Sequence, residues 1–174
     1  SDLNMFLKYY QKLDDAISYL FSSVSNEKKL LKSYFSNKKI IYIDIGTNEG
    51  GYLDFLSSFI KFKKIICFEP IKHLSDKLST KYSKLNLLNF NLAVSNKNQT
   101  KFFYQYEISS QSSFYKQNDL FKSLKNLKKK FKIKSIKFDS FFKKKEKIDF
   151  CKIDVQGEEM NVLKGMAKHL KTKR

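Results

Sequence analysis

Arginine is almost missing from this chain. Of 35 basic residues in 174, Arg174 is the only arginine, although the net charge is +18. Such a charge invites a nucleic-acid reading. Guanine readout and bidentate phosphate clamping favour arginine's rigid fork, so base-specific recognition is disfavoured. Tryptophan is absent, while lysine, asparagine, isoleucine and phenylalanine abound, a profile that AT-rich codons supply. What the charge retains is attraction to anionic ligands, polymers and surfaces. Long apolar runs are missing too. None approaches the roughly 18 residues of a membrane span, and the amino end is polar, so neither a span nor a signal peptide is expected. The chain starts on serine, and a processed or trimmed start is expected. Cysteine is scarce: Cys67 and Cys151 lie inside apolar runs. Free buried thiols in a reducing cytoplasm are expected rather than a disulfide, and no metal site is expected.

The five glycines and one proline are placed, not scattered. Gly46, Gly50 and Gly51 fall in Ile43–Gly51 (IDIGTNEGG), Pro70 in Cys67–Pro70 (CFEP), and Gly157 and Gly165 in and after Lys152–Glu159 (KIDVQGEE). Each place has a short apolar run, an acidic residue and a turn into a helix. Open α/β sheets present small-molecule sites in this way, at the carboxyl ends of their strands.

Residues 4–35 read as helical, with Phe6, Tyr9, Leu13, Ile17, Leu20 and Val24 on one face and a break near Ser25-Asn26. The chain therefore divides into a helical segment, 1–38, and an α/β domain, 39–174. Lys39–Asp44, Lys64–Glu69 and Leu85–Val94 read as strands, with helices over 52–62 and 71–82 between them. That order implies a parallel sheet. Lys101–Glu107 reads as an inserted strand and Ser109–Ser113 as a polar loop. Thirteen lysines run from Lys116 to Lys147, a solvated helix and loop that leads into a strand at Lys132–Phe138. Lys147–Asp154 is the next core strand, and Glu158–Leu170 the last helix.

The first turn has the spacing Gly-x-x-x-Gly-Gly. A dinucleotide fingerprint needs its second glycine where Asn48 stands, which argues against NAD or FAD. Glu69 ends the second strand, where a carboxylate accepts two hydrogen bonds from the vicinal hydroxyls of a ribose. Glycine turn and acidic strand end together point to a nucleoside.

Five blocks in this order resemble the FkbM family of S-adenosylmethionine-dependent methyltransferases: Ile41–Gly50 (IYIDIGTNEG), Phe68–Pro70 (FEP), Ala93–Ser95 (AVS), Phe138–Ser140 (FDS) and Ile148–Gly165 (IDFCKIDVQGEEMNVLKG). The resemblance covers about residues 40–170 and implies a class I methyltransferase fold: Rossmann-like, a mostly parallel sheet flanked by helices. It implies S-adenosylmethionine as cofactor and a hydroxyl of a sugar, glycoconjugate or natural product as acceptor. By position, Asp44, Gly46, Thr47, Asn48 and Gly50 would line the methionine and sulfonium side. Glu69, followed by Pro70, would hold the ribose, Leu92 and Ala93 would flank the adenine, and Asp154 would lie next to the methyl group. Gln156 stands where the family often has glutamate. The family fold continues beyond the last helix, so the chain is expected to be incomplete at its carboxyl end. The strand at Lys147–Asp154 would then have an open edge and invite self-association.

A sulfonium methyl needs an in-line nucleophile, so catalysis is mostly positioning and exclusion of water. Asp154 is the candidate for accepting or orienting the acceptor's proton, or it serves only to orient the loop and cofactor. Glu158 and Glu159 open the last helix, where carboxylates favour its positive end; Glu159 is the candidate to face the site as well. His73 and His169 are given no role. Two alternatives remain open. An RNA or DNA methyltransferase suits the charge, although no Asn/Asp-Pro-Pro-aromatic turn occurs. A non-catalytic fragment suits the early end. Weak polyanion binding is expected in either case.

Overall fold

Lys39–Ile45 (KIIYIDI) forms β1, the strand on which the rest of the sheet is assembled. Six of its seven residues are buried, the run expected of a strand covered on both faces. The structure is a computed structural model that describes residues 24–106, 127–142 and 147–171. The chain divides into two compact units, Ser1–Lys38 and Lys39–Arg174. In the first, α1 spans Val24–Phe35, with Ser25 and Asn26 in its first turn. The helical pattern ahead of Val24 falls outside the described residues.

In the second unit β1 is followed by α2 (Gly51–Ser57), β2 (Lys61–Phe68), α3 (Lys72–Lys81) and β3 (Leu87–Phe90). Then come β4 (Ala93–Ser95), β5 (Gln99–Tyr106), β6 (Leu127–Lys137), α4 (Phe138–Phe141), β7 (Phe150–Ile153), α5 (Glu159–Gly165) and α6 (Ala167–Lys171). One sheet has the order β3-β2-β1-β7, with every pairing parallel. The second has the order β4-β6-β5, with β5 and β6 antiparallel. Ile41, Ile43 and Ile45 of β1 share a core with Phe68, Val94, Phe138, Val162 and Met166, joining the first sheet to β4, α4 and α5. Burying one such isoleucine stabilises by roughly 1.5–3 kcal/mol. On the opposite face Tyr42 stacks on Phe150 at 5.5 Å, and Tyr52 of α2 lies 6.4 Å from Phe150.

The α/β class expected from the sequence is the one found, but several boundaries move for local reasons. The helix expected over 52–62 ends at Ser57, where the N–H groups of Ser58 and Phe59 tighten onto the Phe55 and Leu56 carbonyls three residues back. Lys61 and Phe62 then join β2, opposite Lys39 and Ile40. The single strand expected over 85–94 is two strands in different sheets. Leu92 N–H bonds the Phe90 carbonyl in a tight turn. Asn91 Nδ2 ties that turn to the carbonyls of Glu69 and Pro70 at 2.9 Å each.

The strand expected over 147–154 is shorter because Asp149 does in part with its side chain what strand backbone would do. Its N–H donates to the Ile41 carbonyl, and its Oδ2 accepts from Ile41 N–H at 2.9 Å. The helix expected over 158–170 breaks at Met166. Asp139 accepts from the N–H groups of Lys168 and His169 and from the His169 ring, capping the new helix. Gly165 lies against β4: a Cβ there would meet the Ser95 carbonyl oxygen at 2.2 Å. The strand expected from Lys132 begins earlier, at Leu127, and the polar loop at 109–113 lies outside the described residues.

Candidate functional site

The turns after β1, β2 and β7 meet at the carboxyl end of the parallel sheet. Gly46 has φ +84°, and a Cβ on it would stand 2.0 Å from the Asp154 carbonyl oxygen. Only glycine lets the first turn pass so close to the last strand's end. Gly46 N–H reaches the Phe68 carbonyl, the Thr47 hydroxyl donates to the Asp44 carbonyl at 3.1 Å, and Gly50 N–H closes onto Thr47. Asn48 sits at φ 52°, which aims its N–H at Glu69 Oε2 at 2.7 Å.

Glu69 is 4% exposed, yet each of its oxygens accepts a backbone N–H: Oε2 from Asn48 and Oε1 from Ile71 at 2.8 Å. It thereby joins the first turn to the second. Burial pushes its carboxyl up to about 7, against the pull of those two hydrogen bonds. A carboxylate oxygen has a second lone pair, so Glu69 retains acceptor capacity.

Beside it opens a small cleft with a cavity volume of about 60 Å³. Gly46, Asn48, Glu69, Pro70, Leu92, Ala93 and Asp154 line it. The structure thus brings together seven of the residues singled out from the sequence. Asp44, Thr47, Gly50 and Glu159 stand behind the lining. Asp44 is fully buried on the opposite face of β1 from Ile43 and Ile45. Burial pushes its carboxyl up, and the Lys152 ammonium opposes that. Its Oδ2 has no hydrogen-bond partner among the described residues.

Asp154 is the exposed member, with a side chain 52% accessible. Its Oδ1 accepts from Gln156 Nε2 at 2.8 Å, and its Oδ2 lies 3.5 Å from Lys152 Nζ. Glu159 clasps the loop between them: Oε1 accepts from Val155 N–H at 3.1 Å and Oε2 from Gly157 N–H at 2.9 Å. Glu158 is wholly buried, bonded to the Ser95 hydroxyl at 2.7 Å and to Asn161. The two cysteines are free, and burial pushes both thiols up to about 12, so neither is a ready thiolate.

A family profile described as the methyltransferase FkbM domain matches residues 44–174. The chain belongs to the FkbM methyltransferase family. The match begins at Asp44 and takes in all three turns of the cleft. The crystal structure of methyltransferase FkbM from Methylobacillus flagellatus KT has a similar fold, with a TM-score of 0.52 and 16% sequence identity. That likeness covers 76% of this chain and 30% of that one, so the chain spans less than a third of that relative's length. No curated protein matches the chain. Among the described residues no helix is long and apolar enough to cross a membrane.

Lys152, beside this FkbM cleft, and Phe103, in its lining, are among the residues that the sequence reading did not place in the site. Lys152 stands within one of the quoted blocks, two residues before Asp154 and so on the same side of β7. Its register opposite Asp44 comes only with the sheet. Phe103 comes from the inserted strand to line the cleft, and no local pattern announces it.

Proposed function

We propose that the chain is the cofactor-binding core of an S-adenosylmethionine-dependent O-methyltransferase whose acceptor is a hydroxyl of a sugar, glycoconjugate or natural product. The observation that carries the reading is Glu69, a buried carboxylate at a strand end, in a cleft, beside a glycine turn. The residues fit the group. Glu69 has lone pairs left for two ribose hydroxyls, and Asp44 Oδ2, buried behind the lining, closes no hydrogen bond and suits an ammonium that reaches past the first turn. Pro70, Leu92 and Ala93 give apolar walls for a flat base.

Bound there, S-adenosylmethionine supplies a methyl group on a positively charged sulfur, open to attack by an oxygen nucleophile. Asp154, exposed at the cleft, accepts the acceptor's hydroxyl proton or orients that hydroxyl for in-line approach. Glu159 keeps the Asp154 loop in place through its two backbone hydrogen bonds. The reading includes a reducing cytoplasmic setting for the two free thiols. It also includes self-association along β7, which pairs on one side only among the described residues.

Calorimetric titration tests the reading. S-adenosylmethionine and S-adenosylhomocysteine should bind, and NAD should not. Binding of NAD in their place would return the cleft to the dinucleotide class.

A further inference from the structure

Lys152 lies where the two turns around the cleft meet, and its surroundings are unusual. The register of β7 on β1 sets it opposite Asp44. Its Nζ is 3.5 Å from Asp44 Oδ1, 3.4 Å from the Gly46 carbonyl oxygen and 3.5 Å from Asp154 Oδ2. It also sits 5.7 Å from the centroid of the Tyr52 ring. The Lys152 side chain is 19% exposed and that of Asp44 1%. A charge-assisted N–H···O bond is ordinarily about 2.7–2.9 Å, so none of these contacts is closed. The ammonium is shared among three oxygens and committed to none.

A carboxylate as buried as Asp44 stays charged only beside a cation. Lys152 is the lysine that reaches it among the described residues. The other groups around Asp44 bring no positive charge: Tyr42 on its own strand, Cys67 and Glu69 on the β2 side, Cys151 and Asp154 on the β7 side. One oxygen of Asp44 nevertheless closes no hydrogen bond, although the Tyr42 hydroxyl lies beside the carboxyl. The pocket of negative charge is therefore half filled, by a cation with a second carboxylate already within reach.

Resting on the cofactor reading above, we propose that Lys152 is a resident counter-ion that neutralises Asp44 in the free protein and yields it to the cofactor's α-ammonium. On that exchange the lysine transfers its charge to Asp154, 3.5 Å away at the acceptor side of the cleft. Lys152 is thus a positioning residue that acts through both carboxylates. It keeps Asp44 ionised before the cofactor arrives, and it orients Asp154 afterwards. No covalent step is involved: the ligand's ammonium takes the lysine's place beside Asp44, and no proton moves.

The experiment has two parts on the full chain. In the free protein, carboxyl-carbon NMR follows Asp44 through a pH titration. Lys152→Met should raise its midpoint by at least about one pH unit, and Lys152→Arg should restore it. An unmoved midpoint overturns the counter-ion assignment without any ligand being needed. Calorimetry in buffers of different ionisation enthalpy then counts protons released on binding near pH 7. S-adenosylhomocysteine should release up to about one more proton from Lys152→Met than from wild type. 5′-Methylthioadenosine has the nucleoside and no ammonium, and should release the same number from both. Equal counts for S-adenosylhomocysteine overturn the exchange. If wild type binds neither ligand, the cofactor reading and the exchange fall together, while a shifted Asp44 still upholds the counter-ion. Lys152→Gln serves for both parts where Lys152→Met does not fold.

Discussion

Two carboxylates end neighbouring parts of one parallel sheet and open on one cleft, yet they occupy opposite surroundings. Glu69 is 4% exposed, and both its oxygens are engaged by backbone N–H groups. Asp154 is half exposed, held by the Gln156 amide with the Lys152 ammonium 3.5 Å away. The buried carboxyl is raised to about 7; the exposed one faces water at the cleft mouth. A rigid, desolvated acceptor is suited to holding a neutral diol. An exposed one is suited to meeting an acceptor's hydroxyl. Position at a strand end is common to both, so burial and partners separate the two roles proposed for them.

The sharpest way to break this contrast is Asp154→Asn. In protein with measurable activity, turnover should fall by roughly 10²–10³-fold while cofactor affinity changes little. A collapse of affinity with turnover intact at saturation would make Asp154 a second binding carboxylate. Next is Gly46→Ala, which touches both turns at once. The added Cβ would meet the Asp154 carbonyl at 2.0 Å in a left-handed backbone. The loss should be about 3 kcal/mol or more, a fall of the order of 10 °C in Tm by thermal melting. A variant that melts with wild type would show that the turns do not press together.

Glu69→Ala should weaken S-adenosylhomocysteine by about 1–3 kcal/mol in calorimetry. Unchanged affinity would remove Glu69 from the site. A subtler test uses pH. The ribose hydroxyls need the ionised carboxylate, so binding should be roughly tenfold weaker at pH 6 than at pH 8. Stability should run the other way. Glu69 is raised in the folded state, so its contribution is fully present below its unfolded value and is lost as pH rises through about 7. Parallel trends in the two measurements would contradict the buried-acceptor account.

The smallest effect concerns the outer face of β5 and β6. Phe102 pairs with Lys132 and Tyr104 with Lys130 across the strands, and Lys130 Nζ lies 4.1 Å from the Phe102 ring centroid. Heparin or mixed RNA should bind weakly here, with affinity fading steeply between low and physiological salt. Tight, sequence-selective RNA binding at physiological salt would promote the nucleic-acid alternative.

Much of this comparison was legible before the fold. Gly46, Glu69 and Asp154 announce themselves because glycine is scarce and each acid follows an apolar run. Their difference was not legible. Burial of Glu69 depends on Asn48 adopting a positive φ and on Ile71 turning back, neither of which leaves a local pattern. The split of 85–94 was hidden for a similar reason: Asn91 looks like one more alternating polar residue until its amide finds Glu69 and Pro70. Lys152 was missed because its partner lies 108 residues earlier.

That separation bears on the order in which the cleft is made. Ile41 pairs with Lys64 on one side and with Asp149 on the other, a loop roughly five times longer. Closing it costs about 1.4 kcal/mol more chain entropy than closing the β1–β2 loop. The Asp149 carboxylate, bonded to Ile41 N–H, is the latch that holds that late closure. The wall bearing Glu69, formed by neighbouring segments, should therefore fold early, and the wall bearing Asp154 should be the last to dock and the first to detach.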